Sequence, residues 1–410
     1  MKIAFLTFGC RLNRAEALDE EARLLAAGHS VVLLDGDQIP DLIVVRGCSV
    51  TAKAERDCRK AIARLRLRHP ASRIQLAGCL TPSPSDSSLV TRHSSLVTSP
   101  PPLPLRTARA YLKVQDGCSG RCTFCIVPSF RGQPRSEPFD HVLARARAFL
   151  SAGYRELVVT GCNLALYRDA GHGLPDLLAA LATLGQDHRV RLSSLEPGVC
   201  DDGVLAAFAA HPNICRFIHL SIQSGSNAVL TRMNRSYAIE TVDAVCASAL
   251  RALGPRLALG ADIIAGFPGE TDEDFAATRE FLQRYPFANL HVFPYSERPG
   301  TPAATMDGSI PPALRRARAR ELEKLGQAKR RAFAESFLGQ NVEVCIESDN
   351  TGWTAEYLKC SFDLTGCKRP KDLLPLARRS LVQGRVVQAK GDRLVAVPLP
   401  PEKNGRALCS

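Results

Sequence analysis

The chain has 410 residues, enough for two or three domains and a sizeable core. Its 45% apolar and 23% charged content excludes a disordered or fibrous protein, and no apolar run reaches the length of a membrane span. Fifty-three Lys and Arg against 41 Asp and Glu, a formal charge of +12, favour a polyanionic partner met through phosphate contacts.

The opening MKIAFLTFGC is too short for a secretory leader and reads as a first buried strand. With 15 cysteines spread from Cys10 to Cys409, it points to a reducing compartment and a cytoplasmic protein. Residues 1–80 alternate strand and helix. Strands are expected at 3–8, 30–34, 42–45 and 73–77, with helices at 15–27 and 52–68. In the second helix Cys58, Ile62 and Leu65 fall at i, i+4 and i+7, a buried stripe. This is a small α/β domain with a parallel sheet. Residues 81–107, rich in Ser, Thr and Pro with SSLVT twice, cannot bury a core and read as a linker.

Residues 108–338 again alternate, with strands at 156–160, 190–193, 217–221, 259–264 and 290–293. Helices are expected at 138–152 and 204–210. Repeated β/α units of this kind suggest a barrel or partial barrel, with its chemistry at the carboxyl ends of the strands. Residues 312–338 form a basic helix. Together with the basic stretch 51–69, it can track a phosphate backbone or simply be a solvated face. Residues 339–398 carry short alternating runs at 342–347, 357–362, 381–388 and 394–397, a small all-β barrel. A Pro/Lys-rich tail, 399–410, ends the chain.

The most informative residues are Cys118, Cys122 and Cys125 in YLKVQDGCSGRCTFCIVPSFRG, spaced C-x3-C-x2-C. Three thiolates this close can hold three corners of a cubane iron–sulfur cluster and leave one iron open. The competing reading is zinc, which normally takes four protein ligands, often from two C-x2-C knuckles; the second knuckle is missing here. A second set stands at Cys10, Cys48 and Cys79. Each ends a Gly-Cys pair just past an expected strand: FLTFGC, LIVVRGC and IQLAGC. In a parallel sheet those loops converge at one edge, so the three thiols can meet. The alternative is three small buried hydrophobes.

The C-x3-C-x2-C loop, with Phe124 before its last cysteine, Gln115-Asp116-Gly117 ahead of it and Pro128, Arg131 and Gly132 after it, resembles the radical S-adenosylmethionine (SAM) methylthiotransferases. FGCRLN, GCSVT and the later Gly-Cys resemble the cysteine motifs of that family's first domain, and Asn13 matches the motif asparagine. The chain departs from the pattern at Arg46-Gly47, where the family usually has Asn-Thr. It also has only 38 residues between Cys79 and Cys118. The resemblance implies a radical SAM barrel between the α/β domain and a TRAM-like RNA-binding β-barrel. It implies two 4Fe–4S clusters, one on Cys118, Cys122 and Cys125, and an auxiliary one on Cys10, Cys48 and Cys79. It places SAM against Gly161 and Asn163 of VTGCNLALY, Glu196 of LSSLEP, Gln223 and Ser224 of SIQSGS, Arg235 of RMNRSY, and Gly266 and Gly269 of GFPGET. An arginine at 235 can hold a carboxylate by a bidentate fork. Thr271 with Asp274 resembles a capping pair opening the next helix. In the tail, Trp353 and Tyr357 can stack on bases with Lys359 on phosphate, or can be core.

GCRLN resembles the branch acting on threonylcarbamoyladenosine in tRNA. The activity implied is addition of a methylthio group to C2 of that base in the anticodon stem-loop, with one SAM methylating cluster-bound sulfur and a second yielding a deoxyadenosyl radical. An electron donor protein and a sulfur source are implied as partners, and no membrane. Two alternatives stay open: the branch that modifies an aspartate of a ribosomal protein, and a degenerate iron–sulfur RNA-binding protein without sulfur transfer.

Overall fold

The computed structural model describes residues 1–80, 107–185, 187–365 and 376–400. The expected linker, apart from residue 107, and the tail beyond residue 400 lie outside them.

The first domain is a parallel sheet of β1 (Lys2–Thr7), β2 (Ser30–Val31), β3 (Leu42–Cys48) and β4 (Arg73–Cys79), in the order β2-β1-β3-β4. Helices α1 (Arg11–Ala26) and α2 (Ala52–Arg68) connect the strands, and α2 buries Cys58, Ile62 and Leu65 as its spacing predicts. Strands β3 and β4 run past the ends expected at 45 and 77. Arg46, Gly47 and Cys48 pair in register with Ala77, Gly78 and Cys79. The two glycines permit close approach. A Cβ on Gly47 would lie 2.8 Å from Leu80 Cβ, and one on Gly78, at φ +79°, 2.7 Å from the Gly47 carbonyl oxygen.

The central domain holds two three-stranded parallel sheets. One is β5 (Ala110–Lys113), β8 (Glu156–Thr160) and β9 (Arg189–Leu192); the other is β10 (Phe217–Gln223), β11 (Ala258–Ala265) and β12 (Phe287–Pro294). Single bridges, Val190 to Ile214 and Leu195 to Leu220, join them into an open six-stranded barrel. Strand β5 has no counterpart among the strands expected from the sequence. Between β5 and β8 lie a small ribbon of β6 (Gln115–Asp116) and β7 (Arg135–Ser136), a short α3 (Val127–Arg131) and α4 (Phe139–Ser151). Outside the barrel pack α4, α5 (Leu174–Ala182), α6 (Asp202–Ala210), α8 (Ile239–Leu253) and α9 (Asp272–Arg284); a short α7 (Asn227–Arg232) follows β10. Helix α9 opens with the capping box expected at Thr271 and Asp274.

Helix α10 (Pro312–Glu335) lies along β12, where Gly326 clears Leu290. It is basic but not uniformly solvated: Arg315 and Arg318 are buried, and Arg318 pairs with Glu270. The last domain is a closed five-stranded barrel of β13 (Asn341–Ser348), β14 (Thr351–Thr354), β15 (Lys359–Phe362), β16 (Leu381–Lys390) and β17 (Arg393–Pro398). Tyr357 does not begin a strand. It sits at φ +65° in the turn between β14 and β15, stacked on Trp353 at 4.6 Å and packed against Phe217 and Arg191 of the central barrel. Both aromatics thus pack at the joint between domains, the second of the two roles the sequence left open. Glu156, fully buried, holds Arg189 and Arg191, and these donate to the carbonyls of Trp353 and Thr354.

The first domain docks through α1. Ala15 and Leu18 cover Tyr111 and Val158, on the barrel face turned away from the outer helices. Around them lies a buried ionic cluster. Glu16 accepts from Arg131, Lys113 and Arg46; Lys113 also donates to Asp116 and Arg46 to Glu20. This explains Arg46 where the family usually has Asn. The guanidinium is a charge partner for α1. Burial alone would raise the Glu16 carboxyl, but Arg131, Lys113 and Arg46 outweigh it and hold it at about 2, against an ordinary 4.5. Because the folded value is the lower one, the stabilisation is whole above about pH 5 and is lost as pH falls towards 2, about 3 kcal/mol in all. Glu16→Gln should cost about that much at pH 7, by leaving buried cations uncompensated. It should also flatten the acid limb of a urea-midpoint profile. An unchanged acid limb would contradict this role for the cluster.

Candidate metal centres

The 118–125 loop starts from a turn that only glycine permits. Gly117 stands at φ +70°, and a Cβ there would lie 2.0 Å from the Gln133 carbonyl oxygen. Its N–H donates to Asp116 Oδ1, and the Cys118 N–H donates to the Gly132 carbonyl. The other side of the loop is held by Thr123, which bonds the Met233 and Arg232 carbonyls, and by Phe124, edge-on to Phe267. The sulfurs of Cys118 and Cys122 flank Gly120. Burial, with the neighbouring Cys122 and Cys118, pushes the Cys125 thiol up to about 11. Such a group releases its proton only to a metal or a strong positive neighbour. The donor set therefore suits a thiolate-bound cluster.

A polar chain runs away from these sulfurs. Arg235 Nη1 donates to Cys122 Sγ (2.9 Å), Nη2 to Glu196 Oε1 (3.0 Å) and Nε to the Tyr237 hydroxyl (2.9 Å). Asn163 Nδ2 donates to Glu196 Oε2 (3.0 Å), and the Asn163 N–H donates to Gln115 Oε1. Gly161 leaves room for Gln115, whose Cβ and Oε1 a side chain there would meet at 2.9 and 3.0 Å. The structure thus brings Gly161, Asn163, Glu196 and Arg235 together beside the loop. Gln223 ends β10 at φ +73°, where the register to β11 shifts. Ser224 turns away and meets Thr278 of α9. Gly266 and Gly269, at φ +74° and +81°, pack closely on Arg315 and Arg232. Protein packing is enough to require glycine at both.

The second set meets at the carboxyl edge of the first sheet. Cys48 and Cys79 are directly paired on neighbouring strands, and Cys10 precedes α1. A Cβ on Gly9 would fall 2.8 Å from Cys48 Cβ. Burial, then the nearby Cys10 and Cys79, pushes the Cys48 thiol up to about 11. Cys10 is exposed, so this edge opens outward. Asn13 donates to the Phe8 and Gly47 carbonyls and so ties the Cys10 and Cys48 turns together. All three cysteines are free thiols.

Sequence reasoning missed the group that joins the two sets. Arg131 Nε donates to Cys79 Sγ (3.0 Å), and its Nη1 donates to Asp116 Oδ1 (3.0 Å), the oxygen that caps Gly117. Cys162 also donates to that oxygen. Arg131 and Asp116 were visible only as motif flanks. A pairing across 52 residues leaves no local pattern.

Two family descriptions match the chain: "Radical SAM superfamily" over residues 112–282 and "Uncharacterized protein family UPF0004" over 2–97. The threonylcarbamoyladenosine tRNA methylthiotransferase MtaB of Thermotoga maritima is 34% identical, over 83% of this chain and 85% of that one. The chain belongs to the radical SAM methylthiotransferase family. Its cofactors therefore include SAM and a 4Fe–4S cluster. The Bacillus subtilis protein of the same name is 31% identical over 88% of this chain and 90% of its own length. A tRNA-2-methylthio-N(6)-dimethylallyladenosine synthase of Mycolicibacterium paratuberculosis is 33% identical over 83% and 74%. Among solved structures, the radical SAM methyltransferase TsrM of Kitasatospora setae superposes with a TM-score of 0.51 at 14% identity, over 74% of this chain and 75% of that one. The cobalamin-dependent SAM radical enzyme OxsB gives 0.50 at 12%, over 78% and 55%. At such identities these two show a shared fold.

Because the Gly117 turn has no room for a Cβ, Gly117→Ala should displace Cys118 and prevent a cluster from forming on the loop. Iron content and visible absorbance after anaerobic reconstitution should fall as far as in Cys118→Ala. Retention of the parent's iron content would show that the turn tolerates a methyl.

Proposed function

We propose that this chain is a tRNA methylthiotransferase that adds a methylthio group to C2 of N6-threonylcarbamoyladenosine in the anticodon stem-loop. The observation that carries it is the union, through Arg131, of two three-cysteine sets from different domains. In this reading Cys118, Cys122 and Cys125 hold the radical SAM cluster, and Cys10, Cys48 and Cys79 hold an auxiliary 4Fe–4S cluster. When bound, the first cluster and SAM supply a radical able to take hydrogen from an unactivated carbon.

The chain's own residues supply position. Asn163, Glu196 and Arg235 present hydrogen-bonding groups beside Cys122, suited to the ammonium, hydroxyls and carboxylate of SAM. Arg131 and Asn13 fix Cys79, Cys48 and Cys10 relative to that loop, and the exposed Cys10 edge admits sulfur and substrate. The exposed basic residues of α10, among them Arg316, Arg320, Lys324 and Arg331, face solvent and suit a phosphate backbone. An electron donor and a sulfur source complete the reaction. The threonylcarbamoyl assignment is favoured by the relatives so named, among them those of Thermotoga maritima and Bacillus subtilis.

Anaerobically reconstituted protein should contain two clusters, about eight irons per chain. Cys118→Ala and Cys48→Ala should each retain one. A single cluster in the parent, lost in Cys118→Ala, would sink the sulfur-transfer reading. Substrate is tested separately, by mass spectrometry of tRNA nucleosides from cells with and without the protein. The methylthio form of threonylcarbamoyladenosine should appear only with it. An unchanged pool would reject that substrate while leaving the clusters standing.

A further inference from the structure

One cluster of metal-ligating side chains lies apart from both cysteine sets. His219 of β10, Asp262 of β11 and His291 of β12 project from three adjacent parallel strands. They stand on the face opposite the one that packs on the outer helices, since the alternating Ile218, Leu220, Ala261 and Ile263 occupy that core. Their ligand atoms lie within 4.8 Å of one another. His219 Nε2 is 3.0 Å from Asp262 Oδ1, and His291 Nδ1 is 3.3 Å from the same oxygen.

His219 is buried against Asp262. The residue is only 4% exposed, yet its Nε2 makes no hydrogen bond of acceptable direction, although a carboxylate oxygen is in reach. A buried polar nitrogen left so is costly. The backbone also makes room for the ring. Gly260, opposite His219 on β11, could not carry a Cβ, which would lie 2.4 Å from His219 Nδ1. Bonds of about 2.0–2.2 Å from a tetrahedral ion to nitrogen and oxygen set neighbouring ligand atoms about 3.3 Å apart, close to both separations seen here. His291 is half exposed and free to close on an ion, and Asn289 Nδ2 lies 3.1 Å from its other ring nitrogen.

We propose that His219, Asp262 and His291 form a divalent-cation site inside the open barrel, separate from the cysteine centres. Two imidazoles and one carboxylate suit Zn²⁺, Co²⁺, Mn²⁺ or Fe²⁺ rather than Ca²⁺ or Mg²⁺. Three protein ligands leave at least one coordination position open on the exposed His291 side, where an anionic oxygen of a bound molecule can complete the shell.

The test is Co²⁺ titration of the full chain with its clusters in place, after chelator treatment, followed by cobalt's visible ligand-field bands and by metal analysis. One saturable Co²⁺ per chain is expected, displaced by Zn²⁺ and lacking thiolate charge-transfer absorption. Affinity should fall at least ~10-fold in Asp262→Asn and in His291→Ala. Since His291 is half exposed, the second variant keeps the fold, and matched circular dichroism checks it. No cobalt bound, equal binding by both variants, or a thiolate band placing the ion on cysteines would each overturn the site. The last two would mark the triad as a hydrogen-bonded His–Asp–His cluster without an ion.

Discussion

Everything in this molecule that concerns chemistry hangs on Arg131. Its guanidinium is buried where α1, the 115–117 ribbon and the Cys79 edge meet, and each of its three nitrogens is engaged. Nε reaches Cys79, Nη1 reaches Glu16 and Asp116, and Nη2 reaches Asn13 and Glu16. A planar fork with five donors can satisfy such a set, and a lysine cannot. The cation therefore sets the distance and orientation between two cysteine centres from different domains. Breaking the cluster leaves like or unpaired charges in a dry interior, which is why it rigidifies the joint more than its net stabilisation suggests.

The opposite end of the barrel is closed by a parallel device. Glu156 gathers Arg189 and Arg191, and those arginines grip backbone carbonyls of the β-barrel domain while Tyr357 lies under Arg11 and Arg191. The two flanking domains are thus bound to the central barrel by buried arginines on single glutamates. Strands β10 to β12 are left with a less covered inner face, where His291 and Phe293 remain exposed. Other basic side chains stay in solvent, among them Lys60 and Arg64 on α2 and Arg316 and Arg320 on α10, so the positive charge of the chain is divided between interior fastening and an outer surface. Net charge alone does not distinguish the two.

The sequence was most legible where chemistry needs residues close in the chain. The C-x3-C-x2-C loop, the Thr271–Asp274 capping box and the Cys58–Ile62–Leu65 stripe all stand as their spacing implies. It was less legible at the ends of β3 and β4, expected at 45 and 77. Gly47 and Gly78 continue paired strands because bulky neighbours need the space, not because the chain turns. It left two roles open at Trp353 and Tyr357, and the structure packs Tyr357 against the central barrel with Trp353 stacked on it. Strand β5 went unread, lying just ahead of the cysteine loop.

By itself the sequence determined the candidate donors: six cysteines in two sets of three, at strand ends and in one tight loop. It also determined the β/α alternation that makes those ends converge. Tertiary structure alone decided which polar residues serve them. Arg131 with Cys79 and Glu16, Arg235 with Cys122 and Glu196, and His219 with Asp262 and His291 are all pairings across tens of residues or more. Local periodicity records burial and direction, but the choice of partner for a buried charge is made only when distant strands and helices are packed and every unpaired alternative becomes costly.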